Sequence, residues 1–133
     1  MIRKKAQAVL DALGSPDSEL SVVFVNDTDI SELNRQYLNR EGPTNVIAFP
    51  MQEGEHSGIN PNLAGDVVIS VDTAERESRD AQMDVEERMD QLLVHGILHL
   101  FGYDHEHDDA EAMIMEKKAA ELISAIKHTV TGG

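Results

Sequence analysis

The run HGILHLFGYDH sets three imidazoles at fixed intervals, His95, His99 and His105, with Gly102 between the last two. On a helix, residues four apart stand about 40° apart around the axis and one turn apart along it, so His95 and His99 can aim their rings at one point. Gly102 suits the place where a helix stops and the backbone turns back, which lets His105 reach the same point from outside the helix. Three neutral imidazoles make a zinc site with its fourth position open to water, the arrangement of a catalytic rather than a closed structural site. Such an ion activates water or polarises a phosphoryl oxygen without any activated side-chain nucleophile. The expectation is one Zn2+ per chain, although His ligands also suit nickel, cobalt or iron. His107 is the rival third ligand, while His56 and His128 read as surface residues. Asp104, beside His105, is a candidate acid/base group or hydrogen-bond acceptor, with a helix-end or surface carboxylate as the alternative.

The chain has no cysteine, which excludes disulfides, thiolate catalysis and Cys-type zinc sites. The spacing H-x-x-x-H-x-x-G-x-x-H is the ligand frame of metzincin proteases. Where those enzymes carry a Glu general base this chain has Gly96, which accepts no proton, so peptide hydrolysis ranks last. Met113 and Met115 fit a later helix and read as core or surface residues, not as a Met-turn.

These groups need a scaffold. From Leu92 to Phe101 the residues are apolar all round except the two imidazoles, which predicts a buried helix with its histidines where polar groups are costly. That helix starts behind an Asp84 cap and ends at Gly102. Upstream, the pattern predicts a helix over about Ile2 to Leu13, a strand from Leu20 to Val25, and a helix through ISELNRQYLN with Ile30, Leu33, Tyr37 and Leu38 on one face. Strands follow at Thr44 to Pro50 and Asp66 to Val71, joined by the polar loop QEGEHSGINPNLAG. Asp72 is the expected cap of a helix to about Ala81, and a last amphipathic helix covers about Asp108 to Lys127 before a frayed TVTGG tail. The order implies an α+β fold, a small mixed β-sheet covered by helices, with the metal site at the end of a buried helix. Strand pairing stays open.

A chain of 133 residues with 41% hydrophobic and 27% charged residues fits one domain, residues 1–133, with a single core. The start MIRKKAQAVLDALG has no continuous apolar h-region and no later stretch approaches a membrane span, so no membrane role and a cytoplasmic location are expected. A formal net charge of -14 argues against broad nucleic-acid binding but permits a local basic path, for which Arg3, Lys4, Lys5, Arg35 and Arg40 are the available groups.

HGILHLFGYDH together with PTNVIAFP and LAGDVVIS, in that family's order along most of the chain, resembles the YbeY family of bacterial metal-dependent endoribonucleases. The resemblance implies zinc held by His95, His99 and His105, RNA as substrate, and work in the cytoplasm with the ribosome or ribosomal proteins. The implied role is maturation of ribosomal RNA, at the small-subunit 3′ end, and ribosome quality control. It also implies Asn45 and Asp66 at strand ends facing the site. Two positions depart from the family pattern: Leu38 stands where an Arg is usual, leaving Arg35 or Arg40 to replace it, and Ala48 stands where a Ser is common. The alternative is a zinc-containing assembly or interaction factor with weak or no catalysis, favoured by Leu38 and the acidic surface.

Overall fold

A computed structural model describes residues 2–50, 63–103 and 109–132, without the side chains of 63, 64 and 128–132. Among the described residues the elements are α1 (Ile2–Ala12), β1 (Glu19–Val25), α2 (Asp27–Leu38), β2 (Val46–Pro50), β3 (Leu63–Ser70), α3 (Val71–Asp80), α4 (Val85–Leu100) and α5 (Asp109–Gly132). The strands form one mixed sheet in the order β1-β3-β2, with β1 parallel and β2 antiparallel to the central β3. This is the α+β arrangement expected: a small mixed sheet covered by helices.

Side chains alternate across β3, and both of its faces are covered, which is why DVVIS reads as a nearly unbroken apolar run. Val67 and Ile69 point into the larger core, with Val9 and Leu10 of α1, Leu93 and Ile97 of α4, and Leu122 and Ile126 of α5. Val68 points the other way and joins Ile47 of β2 and Ile30 of α2. Lys5 is nearly buried, with its ammonium 2.9 Å from both Asp90 and Glu86, and ties α1 to α4. Burial works against that charge, but the hydrogen bonds to Asp90 and Glu86 outweigh it and hold the amine above its usual range.

The structure corrects several expectations. β3 begins at Leu63, not Asp66, because pairing with β1 carries the strand back through Gly65, a residue that hides a strand in sequence. Val71 opens α3, whose cap is Ser70 rather than Asp72: the Ser70 hydroxyl accepts the Thr73 N–H at 3.3 Å. Asp72 instead accepts the Asp27 N–H at the start of α2, at 3.0 Å. On α2 the buried positions are Ile30 and Asn34, while Tyr37 and Leu38 are 61% and 45% exposed. Tyr37 meets Phe49 of β2 edge-on, ring centroids 5.4 Å apart. α5 continues as a helix to Gly132 where a frayed tail was expected, since each added residue of a formed helix gains a backbone hydrogen bond. Met113 is exposed and Met115 buried on this helix, as their positions suggested.

Candidate metal centre

Leu92, Leu93, Val94, Ile97 and Leu98 of α4 are buried, whereas His95 and His99 are half-buried. The imidazoles therefore stand on the one open face of the helix, a correction to the expectation that they sit where polar groups are costly. Their Nε2 atoms are 3.1 Å apart, with ring centroids at 4.7 Å and planes at 72°. Gly96 lies between them in sequence and against the sheet in space. A Cβ there would stand 2.7 Å from Cγ1 of Val67 and 3.2 Å from Cγ2 of Val46. The position of the metzincin Glu is thus where this helix presses on β2 and β3, and no side chain fits.

The end of α4 turns as Gly102 suggested. Gly102 takes φ +93°, its N–H donates to the His99 carbonyl at 3.1 Å, and the Tyr103 N–H donates to the Leu98 carbonyl at 3.0 Å. That pair of bonds is the Schellman motif. Asp104, His105 and His107 lie outside the described residues, as does His56; the backbone of His128 is helical. Among the described residues no three His, Asp or Glu groups stand together as a metal-binding set.

A cleft of about 530 Å³ runs beside the two imidazoles along β2, lined by Leu38, Arg40, Thr44, Asn45 and Val46 to Ala48 together with His95, Gly96 and His99. Arg40 is therefore brought to the histidines. Its backbone is set by the buried Asn34, whose carbonyl accepts the Arg40 N–H at 3.2 Å and whose amide donates to the Gly42 carbonyl at 3.0 Å. Asn39, in the left-handed conformation at φ 55°, makes the turn that follows α2. Arg35 is not part of this cleft: it is exposed and ion-paired with Glu32 on the same helix. Asn45 lines the cleft, but Asp66 pairs with Phe49 on the sheet face that carries Val68, away from α4. Leu38 and Ala48, the two departures from the family pattern, both line the cleft.

Sequence reading passed over Arg88 and Gln91. They extend the polar ridge of α4 upward from His95 and His99 at steps of four and three, a signal present in the 3.6-residue period. Both line a second cleft of about 450 Å³ between α4 and α5, which shares Asn45 and His95 with the first. Arg88 is held by Glu77 of α3, at 3.0 Å from its Nε and 2.9 Å from its Nη2. Glu77 also accepts from the Asn45 amide at 3.3 Å.

A family model described as Endoribonuclease YbeY matches residues 1–127. Proteins named Endoribonuclease YbeY from Syntrophotalea carbinolica and Geobacter metallireducens are each 50% identical over 127 residues, 95% of this chain and 85% of theirs. One from Aquifex aeolicus is 48% identical over 121 residues, 91% of this chain and 76% of its own. The solution structure of TM1509 from Thermotoga maritima superposes with a TM-score of 0.64 at 29% identity, covering 94% of this chain and 77% of that one. With the histidine ridge, the Gly102 turn and matches over nearly its whole length, the chain belongs to the Endoribonuclease YbeY family.

Proposed function

We propose that this protein is a zinc-dependent endoribonuclease of the cytoplasm that matures ribosomal RNA at the small-subunit 3′ end and serves ribosome quality control. Its family supports cleavage of RNA, and the resemblance in its motifs supports the ribosomal substrate. The observation that carries the metal is the approach of the His95 and His99 Nε2 atoms to 3.1 Å. Two nitrogens bound to one tetrahedral zinc at 2.0–2.1 Å stand about 3.3 Å apart, so the donor pair fits that ion with a shift of a few tenths of an ångström. His105 is the proposed third ligand.

Bound there, zinc supplies the positive charge that activates water or stabilises a developing phosphoryl charge. The chain's own groups do the rest. Arg40 binds a phosphate oxygen in the cleft and opposes its charge, in place of the Arg missing at Leu38. Gly96 keeps α4 on the sheet, which fixes where both imidazoles point. Asp104 is the proposed group that moves a proton at the attacking or leaving oxygen. The net charge of -14 resists RNA at long range, so productive approach relies on this local cation and on the ribosome.

The second reading is an assembly factor with little catalysis, favoured by Leu38, an uncharged side chain in the cleft. Purified protein incubated with a transcript of the small-subunit RNA 3′ region separates the two. The enzyme reading expects discrete cleavage that is absent for His99→Ala; intact transcript with the wild type would leave the assembly role.

A further inference from the structure

The two clefts beside His95 differ in chemistry. The β2 cleft has Arg40 as its cation and suits a phosphate. In the cleft between α4 and α5 the guanidinium of Arg88 is already matched by Glu77, and Glu116 lines the wall, so no net positive charge is offered to a phosphate. Its floor is Leu92, Ala119, Ala120 and Ile123, and its polar groups include the amides of Asn45 and Gln91. An apolar floor with a few fixed polar groups is the composition of a site for a flat, neutral ligand.

Gln91 has a defined orientation. Arg88 Nη1 donates to its Oε1 at 2.7 Å, which assigns the oxygen to the Arg88 side and the NH₂ to the other side of the amide. Among the described residues none accepts from that NH₂. A fixed donor pair discriminates between base edges at one position: it meets O6 of guanine and O4 of uracil, where adenine and cytosine present an amino group that opposes it. Because His95 and Asn45 line both clefts, a strand whose phosphate lies by Arg40 and the imidazoles carries its neighbouring base to this one.

We propose that the cleft between α4 and α5 is a nucleobase subsite, in which Gln91, oriented by Arg88, reads the keto edge of a guanine or uracil beside the cleaved phosphate. The subsite rests on the nuclease reading for its place in the reaction, but its ligand can be tested apart from it. The first measurement is cleavage of RNA oligonucleotides that carry U, G, C or A at each position in turn. One lost hydrogen bond predicts about a tenfold preference for U and G over C and A at one position next to the cut. Gln91→Glu, which exchanges donors for an acceptor, is expected to invert that preference, and Gln91→Leu to abolish it. Cleavage with no base preference, or a preference that both variants retain, overturns the proposal. The second measurement follows the side-chain amide of Gln91 by NMR as uridine or cytidine 5′-monophosphate is added. A shift with the uridine compound alone supports the subsite even for a protein that cleaves nothing, in which case the nuclease reading fails and the subsite stands. No shift with either, or equal shifts with both, overturns it.

Discussion

Replacing Gly96 with alanine sets two terms of opposite sign against each other. Gly to Ala in the middle of a helix normally gains about 1 kcal/mol through backbone entropy. Here the new methyl would stand 2.7 Å from Cγ1 and 3.2 Å from Cγ2 of Val67, and 3.2 Å from Cγ2 of Val46. Carbon atoms rest at about 3.5–4.0 Å, so roughly 1 Å must be found in the seam between α4 and the sheet, where Gly96 and Val67 are buried. Val67 is β-branched and has little freedom to turn aside, which leaves displacement of the helix. Overpacking of this kind costs about 1–3 kcal/mol. The expected balance is a net loss of about 1–2 kcal/mol, read as a lower urea midpoint with an unchanged slope. Val67→Ala removes the 2.7 Å contact and one of the two at 3.2 Å, leaving only that to Val46, so in the double variant most of the penalty of Gly96→Ala should disappear, a coupling of about 1–2 kcal/mol. A Gly96→Ala protein that gains about 1 kcal/mol, or a cycle with no coupling, would refute the packing argument and with it the reason given for the absence of a glutamate at this position.

Arg40→Ala should slow RNA cleavage by about 10- to 100-fold, the worth of one charge-assisted hydrogen bond, while Arg35→Ala changes it less than about twofold; single-turnover rates on the same transcript compare them. Leu38→Arg adds a guanidinium to the same cleft and should raise cleavage by up to about tenfold, with a steeper loss of binding as salt is increased. The Asp27 carboxyl accepts from the Thr73 hydroxyl at 2.6 Å, from Arg76 at 2.6 Å and from Ser70 at 2.7 Å, and these bonds outweigh burial to hold it down to about 2. A lowered carboxyl stabilises the fold above the unfolded value near 3.8 and loses that contribution as pH falls through the folded one. About 1–2 kcal/mol, discounted for its partial exposure, should therefore vanish between about pH 4 and 2, and Asp27→Asn should flatten that part of a stability-versus-pH curve.

Periodic elements were readable because their signals are local. LSVVFV foretold β1 to within a residue, ISELNRQYLN foretold α2 although that helix starts three residues earlier at Asp27, and HGILH announced both the helix and the imidazole pair on it. What could not be read depended on contacts across the fold. Gly96 looked like a missing general base, and only its approach to Val67 of β3 shows why no larger residue stands there. Tyr37 and Leu38 have the spacing of a buried face, but α2 covers only a narrow sheet and turns on Asn34, so its last turn stays in solvent. Which of Arg35 and Arg40 lines the cleft also needed the fold: Arg35 is ion-paired with Glu32 on its own helix, and Arg40 follows the left-handed turn at Asn39 onto the cleft. The ridge of Arg88 and Gln91 was within reach of periodicity, but long polar side chains on a helix are usually a solvated face.

The most direct test of the account is the metal content of the purified protein, measured by mass spectrometry of the metal for the wild type, His95→Ala and His99→Ala, on the same samples used for RNA cleavage. The expected result is about one zinc per wild-type chain, and loss of metal and of cleavage together in both variants, with their circular dichroism unchanged. A wild-type protein that folds and cleaves RNA without metal, or histidine variants that keep both, would contradict it.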